Sequence, residues 1–437
     1  MIRLAFSLAA LLLAALPAQA LVKIQEITSP GGIKAWLVEE RSIPFTALEL
    51  RFKGGASLDE PGKRGAINLM TGLIEEGAGD LDAQGFAKAL EALAAHYSFD
   101  VFDDAMSVSA RFLTENRAAS VALLKSALTE PRFDQDAIER VRGQVLSNIR
   151  SDATDPNTIA NRTFDALAFG DHPYGSPLSG TEDSVNALTR DDILAAHRRL
   201  LSRENLYVAA VGDISADELG LLLDDLLGDL PATGAPAPAT TETALPGGIT
   251  VVPFDTPQSV AVFGQKGLKR DDPDFFAAFV MNQILGGSNF GSRLMEEVRE
   301  KRGLTYGVYS YLVPKDYAEL FMGQVASAND RIAETVQVIQ SEWQRIAAQG
   351  VTEQELADAK TYLTGAYPLR FDGNARIAGI MVGMQLSGLP VDYIATRNAK
   401  IEAVTLDDIK RVAARIVNPD SLHFVVVGQP EGLEPTN

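Results

Sequence analysis

The chain has 437 residues, of which 46% are hydrophobic and 22% are charged, so its composition is that of a folded globular protein. Its length exceeds what one ordinary core accommodates and predicts two or more domains. A formal net charge of -19 argues against nucleic acid or an anionic membrane as a partner, and the absence of cysteine excludes disulfides, thiolate nucleophiles and cysteine-based metal sites.

Residues 1–20 are predicted to form a cleaved secretory signal peptide. Arg3 supplies a positive charge, an apolar stretch runs from Leu4 to Leu16, and the small residues Ala18 and Ala20 precede the expected cleavage point. The stretch is too short to span a membrane, and no other apolar run approaches that length. We therefore expect an exported protein without a membrane anchor, most simply in a bacterial periplasm.

A segment rich in Pro, Ala, Thr and Gly divides the rest of the chain into two nearly equal parts. It covers residues 231–248, PATGAPAPATTETALPGG, and Leu245 is its only large apolar residue. This composition is typical of a linker. The sequence thus predicts a first domain at 21–230 and a second domain at 249–437.

The two parts share a repeated stretch. Residues 188–213 align without gaps on residues 404–429 at an offset of 216, and Thr189 then coincides with Thr405. Each copy predicts a capped amphipathic helix, a polar turn and a buried apolar strand that ends in glycine. The same fold is therefore expected twice.

Alternation between apolar and polar residues predicts strands with one buried face. In the first part such strands lie at 48–52 and 106–112, and helical patterns cover 65–76, 86–94 and a long segment that Asp134 is expected to cap. The second part predicts strands at 259–264 and 319–326 and a helix at 273–285. Helices mixed with strands that have one solvent-exposed face indicate an α+β fold. We expect two homologous α/β sandwich domains, each with a largely antiparallel sheet covered by helices.

Residue types that catalyse reactions alone are sparse in this chain. Its four histidines, His96, His172, His197 and His423, are too far apart in sequence for an HExxH or HxxEH zinc motif, and ordinary packing or turn roles are expected for them. No GxSxG serine motif is present, and the glycine-rich stretch at 285–292 lacks the lysine of a phosphate-binding loop. The chain is therefore expected to hold no metal or cofactor of its own.

Several motifs, in sequence order, resemble the pitrilysin/insulinase family of zinc peptidases. They are the two-part repeat, the turn GDHPYGSPLSGTEDSV at 170–185 and the segment SRLMEEVREKRGLTYGVYS at 292–310. The resemblance covers nearly all of 22–430, and it is strongest to the small two-domain members similar to mitochondrial processing peptidase subunits. It implies a clamshell of similar domains that encloses unfolded peptides and excludes folded proteins.

The zinc motif of that family is absent from the matching segment, GAINLMTGLIEEG at 65–77. Active members carry HxxEH there, and the two histidines bind zinc while the glutamate activates a water. The resemblance places Asn68 and Gly72 at the histidine positions, Thr71 at the glutamate and about Asn148 at the third ligand. Zinc hydrolysis by this chain alone is therefore not expected, and zinc is expected in a partner subunit.

Residues 292–310 keep another part of the family pattern. The resemblance implies that Arg299, at the end of a helix, and Tyr306, on the strand after Gly303, assist peptide cleavage in trans. A tyrosine hydroxyl and an arginine fork are suitable donors to a developing oxyanion and to a substrate carbonyl. The same residues also fit a simpler interpretation, in which a salt-bridged helix face is followed by ordinary strand tyrosines.

The sequence leads to one hypothesis and two alternatives. The hypothesis is a zinc-free subunit of a heterodimeric periplasmic metallopeptidase, paired with a homologous HxxEH-bearing subunit and acting on unfolded peptides. The alternatives are a noncatalytic, chaperone-like peptide-binding protein and a structural subunit of a larger complex. An HxxEH-bearing partner that lacks the Arg and Tyr pair would favour the hypothesis over both.

Overall fold

The computed structural model describes residues 23–287 and 291–436. The predicted signal peptide at 1–20 lies outside the described residues. Within the described part of the chain, no helix is long and apolar enough to cross a membrane.

The first half forms a mixed sheet with helices packed against it. Its strands are β1 (Gln25–Thr28), β2 (Lys34–Glu39), β3 (Phe45–Lys53), β4 (Gly77–Ala78), β5 (Leu81–Asp82), β6 (His96–Val101), β7 (Ala105–Leu113) and β8 (Leu206–Gly212). Its helices are α1 (Ala66–Thr71), α2 (Ala83–Ala92), α3 (Arg117–Thr129), α4 (Gln135–Asp152), α5 (Pro156–Phe169), α6 (Glu182–Ala187), α7 (Arg190–Leu200) and α8 (Ala216–Leu227). The sheet order is β1-β2-β8-β3-β7-β6, and β4 and β5 form a separate small sheet.

The second half repeats this architecture. Its strands are β9 (Gly248–Pro253), β10 (Gln258–Lys266), β11 (Val308–Pro314), β12 (Glu319–Ala328) and β13 (His423–Gly428). Its helices are α9 (Phe275–Gly286), a π-helix (Met295–Glu300), α10 (Ile332–Gln349), α11 (Glu353–Gly365), α12 (Asn374–Leu386), α13 (Tyr393–Glu402) and α14 (Leu406–Ile416). The sheet order, β9-β13-β10-β12-β11, corresponds to β2-β8-β3-β7-β6 of the first half.

The structure confirms the repeat that the sequence predicts. Thr189 and Thr405 each form a capping box, in which the threonine hydroxyl accepts a bond from the third helical residue and that residue's carboxylate accepts one in return. Helices α7 and α14 then lead into the buried strands β8 and β13. These strands run parallel to β2 and β9, whereas the other pairings in both large sheets are antiparallel.

Each half contributes a helix to the outer face of the other half's sheet. Helix α5 of the first half lies against β10 and β13, where Phe164 is fully buried and its ring tip lies 2.9 Å from the position of a Cβ added to Gly264. Helix α12 of the second half lies against β3 and β8, where Met381 packs with Ala47 and Val211. The two halves are therefore joined by buried apolar surfaces as well as by the chain between them.

The prediction that one face of each strand is exposed to solvent was wrong for the centre of β3. Ala47 and Glu49 are buried, as are the apolar residues of the opposite face, because α12 covers the side predicted to face solvent. Glu49 is only 6% exposed, and its carboxylate accepts hydrogen bonds from Ser109 Oγ at 2.8 Å and Arg51 Nη1 at 2.9 Å. These two hydrogen bonds compensate the carboxylate for the hydration that it loses when α12 buries it.

The helix predicted at 65–76 is shorter than expected. Helix α1 ends at Thr71, and the chain continues in tight turns in which Leu73 N donates to Met70 O at 3.0 Å and Glu76 N donates to Leu73 O at 3.1 Å. Gly72, at the point of change, is a poor helix former. Gly77, where the helix was predicted to end, is the first residue of β4. Its φ of 118° lies in a region that favours glycine.

Residues 231–247 form neither helix nor strand and contact both halves. Ala235 N donates to Arg199 O at 2.9 Å in the first half, and Thr241 N donates to Tyr317 O at 2.8 Å in the second. Ala244 N also donates to Ala168 O, on α5, at 2.9 Å. This segment is therefore held along the junction by its backbone.

Two hairpins form a polar cluster at the same junction. Lys315, between β11 and β12, pairs with Asp103 of the β6–β7 hairpin at 2.5 Å, and Asp316 N donates to Asp104 Oδ2 at 3.1 Å. The Tyr174 hydroxyl donates to the other oxygen of Asp104, and Lys315 Nζ lies 4.2 Å from the centroid of the Tyr174 ring. Ion pairs and hydrogen bonds therefore hold the β6–β7 hairpin of the first half against the β11–β12 hairpin of the second half.

Asp165 on α5 borders this cluster and provides a pH-dependent prediction. Burial raises the pKa of its carboxyl to about 7, with Lys315 lowering the pKa and Asp103 raising it further. At pH values between the ordinary aspartate pKa and about 7, this carboxyl is protonated in the folded chain but ionised in the unfolded chain. The free energy of unfolding therefore falls as the pH rises toward 7. We expect Asp165→Asn to stabilise the protein more at about pH 8 than at about pH 5.

Thermal or urea unfolding at the two pH values measures this difference. Asp372→Asn, at an exposed aspartate, is the matched control and should show no pH-dependent gain. An equal effect of Asp165→Asn at both pH values would show that the carboxyl is not held protonated in the folded state.

Candidate functional site

The zinc-motif positions of the first half lie on α1, directly after it at Gly72, and on α4. Asn68 is half-buried on α1, and Asn148 is exposed on α4, where its side-chain oxygen accepts a bond from Gln144 Nε2 at 2.9 Å. Thr71 is buried, and its hydroxyl donates to Ile67 O in its own helix at 2.8 Å. A Cβ added to Gly72 would lie 3.2 Å from Val141 Cγ1, so a larger residue at this position would press against α4.

The structure brings Asn68 and Asn148 to one polar pocket of about 490 Å³. The rest of its lining includes Ser179 and an ion pair between Arg162 on α5 and Asp152 on α4, with an N–O distance of 2.7 Å. Thr71 and Gly72 are not among the lining residues. Two of the four positions therefore converge, and the other two serve the packing of α1.

The donor set of this pocket does not fit zinc. Structural and catalytic zinc sites use histidine, cysteine or carboxylate ligands, usually three or more from the protein. Here two carboxamides stand at ligand positions, and the nearby carboxylate of Asp152 is paired with Arg162. Across residues 23–287 and 291–436 there is no group of three or more His, Cys, Asp or Glu side chains suited to a metal ion.

Three of the histidines have the structural roles that the sequence predicts. His197 Nε2 lies 2.9 Å from Leu128 O, and burial lowers the pKa of this imidazole. His423, on β13, lies 2.9 Å from Gly247 O through Nδ1. His172 precedes a short turn and accepts a bond from Tyr174 N at 3.2 Å. These imidazoles are engaged by backbone groups.

The Arg299 segment ends as a π-helix, whose hydrogen bonds span five residues. Lys301 N donates to Glu296 O at 2.9 Å in this pattern, and Gly303, with a φ of 60°, allows its N–H to return to Arg299 O at 2.8 Å. Arg299 lies in the last turn, as predicted, and pairs with Glu300 at 3.5 Å. Short π-helical segments are frequent at functional sites.

Tyr306 is not on the strand where the sequence placed it. It lies in the loop at 301–307, and β11 begins at Val308. The side chain of Thr305 fixes this loop, because its hydroxyl donates to Ala326 O at 2.7 Å and accepts from Gly307 N at 3.1 Å. Tyr306 is 89% exposed, and its hydroxyl has no hydrogen bond to another described residue.

The salt-bridge interpretation explains part of the charged helix face. Glu297 pairs with Lys301 and with Arg302, each at 2.7 Å, and these bonds lower the pKa of the Glu297 carboxyl. Tyr309 likewise has an ordinary strand role, since its hydroxyl donates to Gln324 Oε1 at 2.9 Å. Tyr306 has no comparable partner among the described residues, so the simpler interpretation does not account for it.

Sequence reasoning did not locate a strand that could pair with an extended peptide. The structure places β6 at an edge of the first sheet, where β7 is its one strand partner among the described residues and α1 packs next to it. Alternation in HYSFDV at 96–101 could have predicted the strand. Its edge position depends on pairing between distant segments, which local periodicity does not report.

Comparisons with known proteins agree with this geometry. The family model described as Insulinase (Peptidase family M16) matches residues 35–182, and the model described as Peptidase M16 inactive domain matches residues 187–363. A Helicobacter pylori protein named non-peptidase homolog YmxG is 28% identical over 393 residues, which cover 89% of this chain and 90% of that protein. An uncharacterized zinc protease of Streptomyces coelicolor is 25% identical over 405 residues, or 90% of this chain and 87% of that protein.

Solved structures show the same fold over nearly the whole chain. A peptidase M16 inactive domain from Pseudomonas fluorescens superposes with a TM-score of 0.88 at 29% identity, covering 95% of this chain and 100% of that one. A protease from Helicobacter pylori has a TM-score of 0.84 at 18% identity, with 93% and 100% coverage, and supports the fold alone. The chain therefore belongs to peptidase family M16, the insulinase family, as a member whose described residues hold no zinc-binding set.

Proposed function

We propose that this chain is the zinc-free subunit of a heterodimeric periplasmic metallopeptidase. A homologous partner subunit carries HxxEH and zinc in its amino-terminal half. This chain closes the chamber and contributes Arg299 and Tyr306 to the bound peptide and the transition state. The substrates are unfolded peptides, because a closed chamber admits extended chains and excludes folded domains.

The observation that carries this proposal is the state of Tyr306. A tyrosine that is 89% exposed, in a loop held by the hydrogen bonds of Thr305, contributes little to the stability of its own chain. Its hydroxyl is available to a bound group, and tyrosines with one free polar end are well suited to binding surfaces. Arg299, seven residues earlier, offers a planar donor fork of the kind that binds carbonyl and carboxylate oxygens.

The altered zinc positions support a division of labour between two chains. Asn68, Asn148 and Gly72 supply no zinc ligand set, so the hydrolytic water must be activated elsewhere. The name of the Helicobacter pylori relative, a non-peptidase homolog, is consistent with a chain that does not hydrolyse peptides by itself.

A second candidate is peptide holding without cleavage. The free edge of β6 can add an extended peptide as a further strand, since edge strands present unpaired N–H and C=O groups. The polar pocket at Asn68 lies on α1, the helix that packs next to β6. Peptide binding that persists without any hydrolysing partner would favour this candidate.

Co-expression with an HxxEH-bearing partner tests the main proposal. We expect the purified chain alone to contain no stoichiometric zinc and to leave a quenched fluorescent peptide intact. The assembled pair should hydrolyse the peptide, and a chelator should abolish this activity. Metal analysis, size-exclusion chromatography and fluorescence measure the three results. Stoichiometric zinc or hydrolysis in the chain alone would contradict the proposal.

A further inference from the structure

The second half contains a pocket of about 550 Å³ that the peptidase hypothesis does not use. It lies between the loop at 270–273, the first turn of α9, the turn at 387–389 and helix α13. Pockets of this volume accommodate a ligand of about the size of one or two amino acids. None of the zinc-motif positions and neither Arg299 nor Tyr306 lines it.

Arg270 is held on the wall of this pocket by aromatic groups. Its guanidinium carbon lies 4.1 Å from the centroid of the Phe275 ring, and its Nη2 donates to the Tyr393 hydroxyl at 2.8 Å. Stacking uses the face of the guanidinium, so the remaining N–H donors lie in its plane and stay accessible. Arg270 forms no ion pair with another described residue.

Lys400 supplies a second positive charge on the same pocket. Its Nζ lies 5.6 Å from the ring centroids of both Phe276 and Tyr393, and it has no ion pair with a described carboxylate. The neighbouring carboxylate of Asp408 is already engaged by Arg411 at 2.6 Å. In a chain with a net charge of -19, two cations facing one pocket without carboxylate partners indicate room for an anion.

The internal repeat provides a comparison for this pocket. At the offset of 216, Asp408 and Arg411 correspond to Asp192 and Ala195, which line the equivalent position in the first half. That position is closed to about 10 Å³, and Lys63 Nζ pairs there with Asp192 at 2.9 Å. The shared fold therefore does not require an open pocket, and the opening is particular to the second half.

We propose that this pocket binds an organic carboxylate with an aromatic or large apolar body. The carboxylate lies between Arg270 and Lys400 and receives charge-assisted hydrogen bonds from both. The body of the ligand packs against Phe276 and Leu389 on the pocket wall. The same chemistry is presented by a free aromatic acid and by the C-terminal residue of a peptide. This proposal does not depend on the peptidase hypothesis.

Substitution of Asp271 should change the affinity in the opposite direction from substitution of Arg270 or Lys400. Asp271 also lines the pocket and forms no ion pair with another described residue. Its charge opposes a bound carboxylate, so Asp271→Asn should tighten binding. Arg270→Gln and Lys400→Gln should each weaken it by about tenfold or more, because each removes a hydrogen bond to a charged group.

Calorimetric titration of the full chain with N-acetyl-phenylalanine tests these effects. The exposed Lys410, on α14 and outside the pocket, provides the control Lys410→Gln, which should leave the affinity unchanged. N-acetyl-phenylalaninamide should bind at least tenfold more weakly than the acid, because its amide carries no charge for Arg270 and Lys400. Binding of a short peptide ending in phenylalanine identifies a peptide C-terminus as the source, and binding of the free acid alone identifies a small aromatic acid. Circular dichroism verifies that each variant is folded.

Three results would overturn the proposal. They are the absence of binding at millimolar acid, equal binding of the acid and the amide, and affinities unchanged in folded Arg270→Gln and Lys400→Gln proteins. Because Lys400 is exposed, its substitution should not affect folding, and this variant keeps the test decisive if Arg270→Gln is unstable.

Discussion

Tyr306→Phe is expected to lower the kcat of the assembled peptidase by about 10²- to 10³-fold. The hydroxyl is proposed to donate to the oxyanion that develops during peptide cleavage, and loss of one preorganised donor of this kind has an effect of that size. Assembly should be unaffected, because the hydroxyl has no hydrogen bond to another described residue. Steady-state kinetics on a quenched peptide, with the variant chain bound to its wild-type partner, measures the change.

The division between kcat and KM distinguishes a catalytic role from a structural one. A donor used only in the transition state should change kcat and kcat/KM equally. Arg299→Ala, which removes a proposed contact with the substrate carbonyl, should also raise KM. Tyr362→Phe is the matched control, since Tyr362 is 43% exposed on α11 and lies outside the π-helix and its loop. Full activity of assembled Tyr306→Phe and Arg299→Ala complexes would exclude the proposed roles.

Local signals in the sequence predicted about half of the helices and strands, including the central strands of both large sheets. The capping residues Thr189 and Thr405, followed by amphipathic segments and apolar strands, were sufficient to predict α7, α14, β8 and β13. These features depend on residues close in sequence, so their physical causes are visible in one short window. The gap-free alignment of the two stretches then predicted two copies of one fold, which the corresponding sheet orders confirm.

The errors arose where distant segments decide the environment of a residue. Glu49 follows the alternation of a half-exposed strand, yet α12 arrives from more than three hundred residues later in the chain and buries it. Tyr306 follows an apparent strand pattern, but Thr305 ties the loop to Ala326 on β12 and delays the start of β11. Neither contact partner can be identified from periodicity.

The candidate site shows the same limit. Asn68 and Asn148 are far apart in sequence, and only the resemblance to the family placed both at ligand positions. The fold brings them to one pocket by packing α1 against α4. The ion pair of Asp152 with Arg162 and the hydrogen bond from Arg270 to Tyr393 were not identified, because each joins two elements whose relative position is set by the fold.

Because each half packs a helix on the sheet of the other, we expect a large loss of stability when Phe164 on α5 is substituted. This residue belongs to the first half but packs under the second sheet, where Val262 and Val425 are its fully buried neighbours. Phe164→Ala should therefore lower the free energy of unfolding by about 3–5 kcal/mol, the usual cost of removing a buried phenylalanine side chain. Met381→Ala, the reciprocal change on α12, should cost about 2–5 kcal/mol.

The form of the unfolding curve tests whether the two halves are coupled. Because each sheet depends on a helix from the other half, we expect both variants to shift a single urea transition and to keep its slope. Leu221→Ala, at a leucine that is 66% exposed on α8, should change stability by no more than about 0.5 kcal/mol. Two separate transitions, with Phe164→Ala affecting only one, would show that the halves unfold independently. A single transition would mean that the junction, including the packing of α5 against the second sheet, is part of the cooperative core.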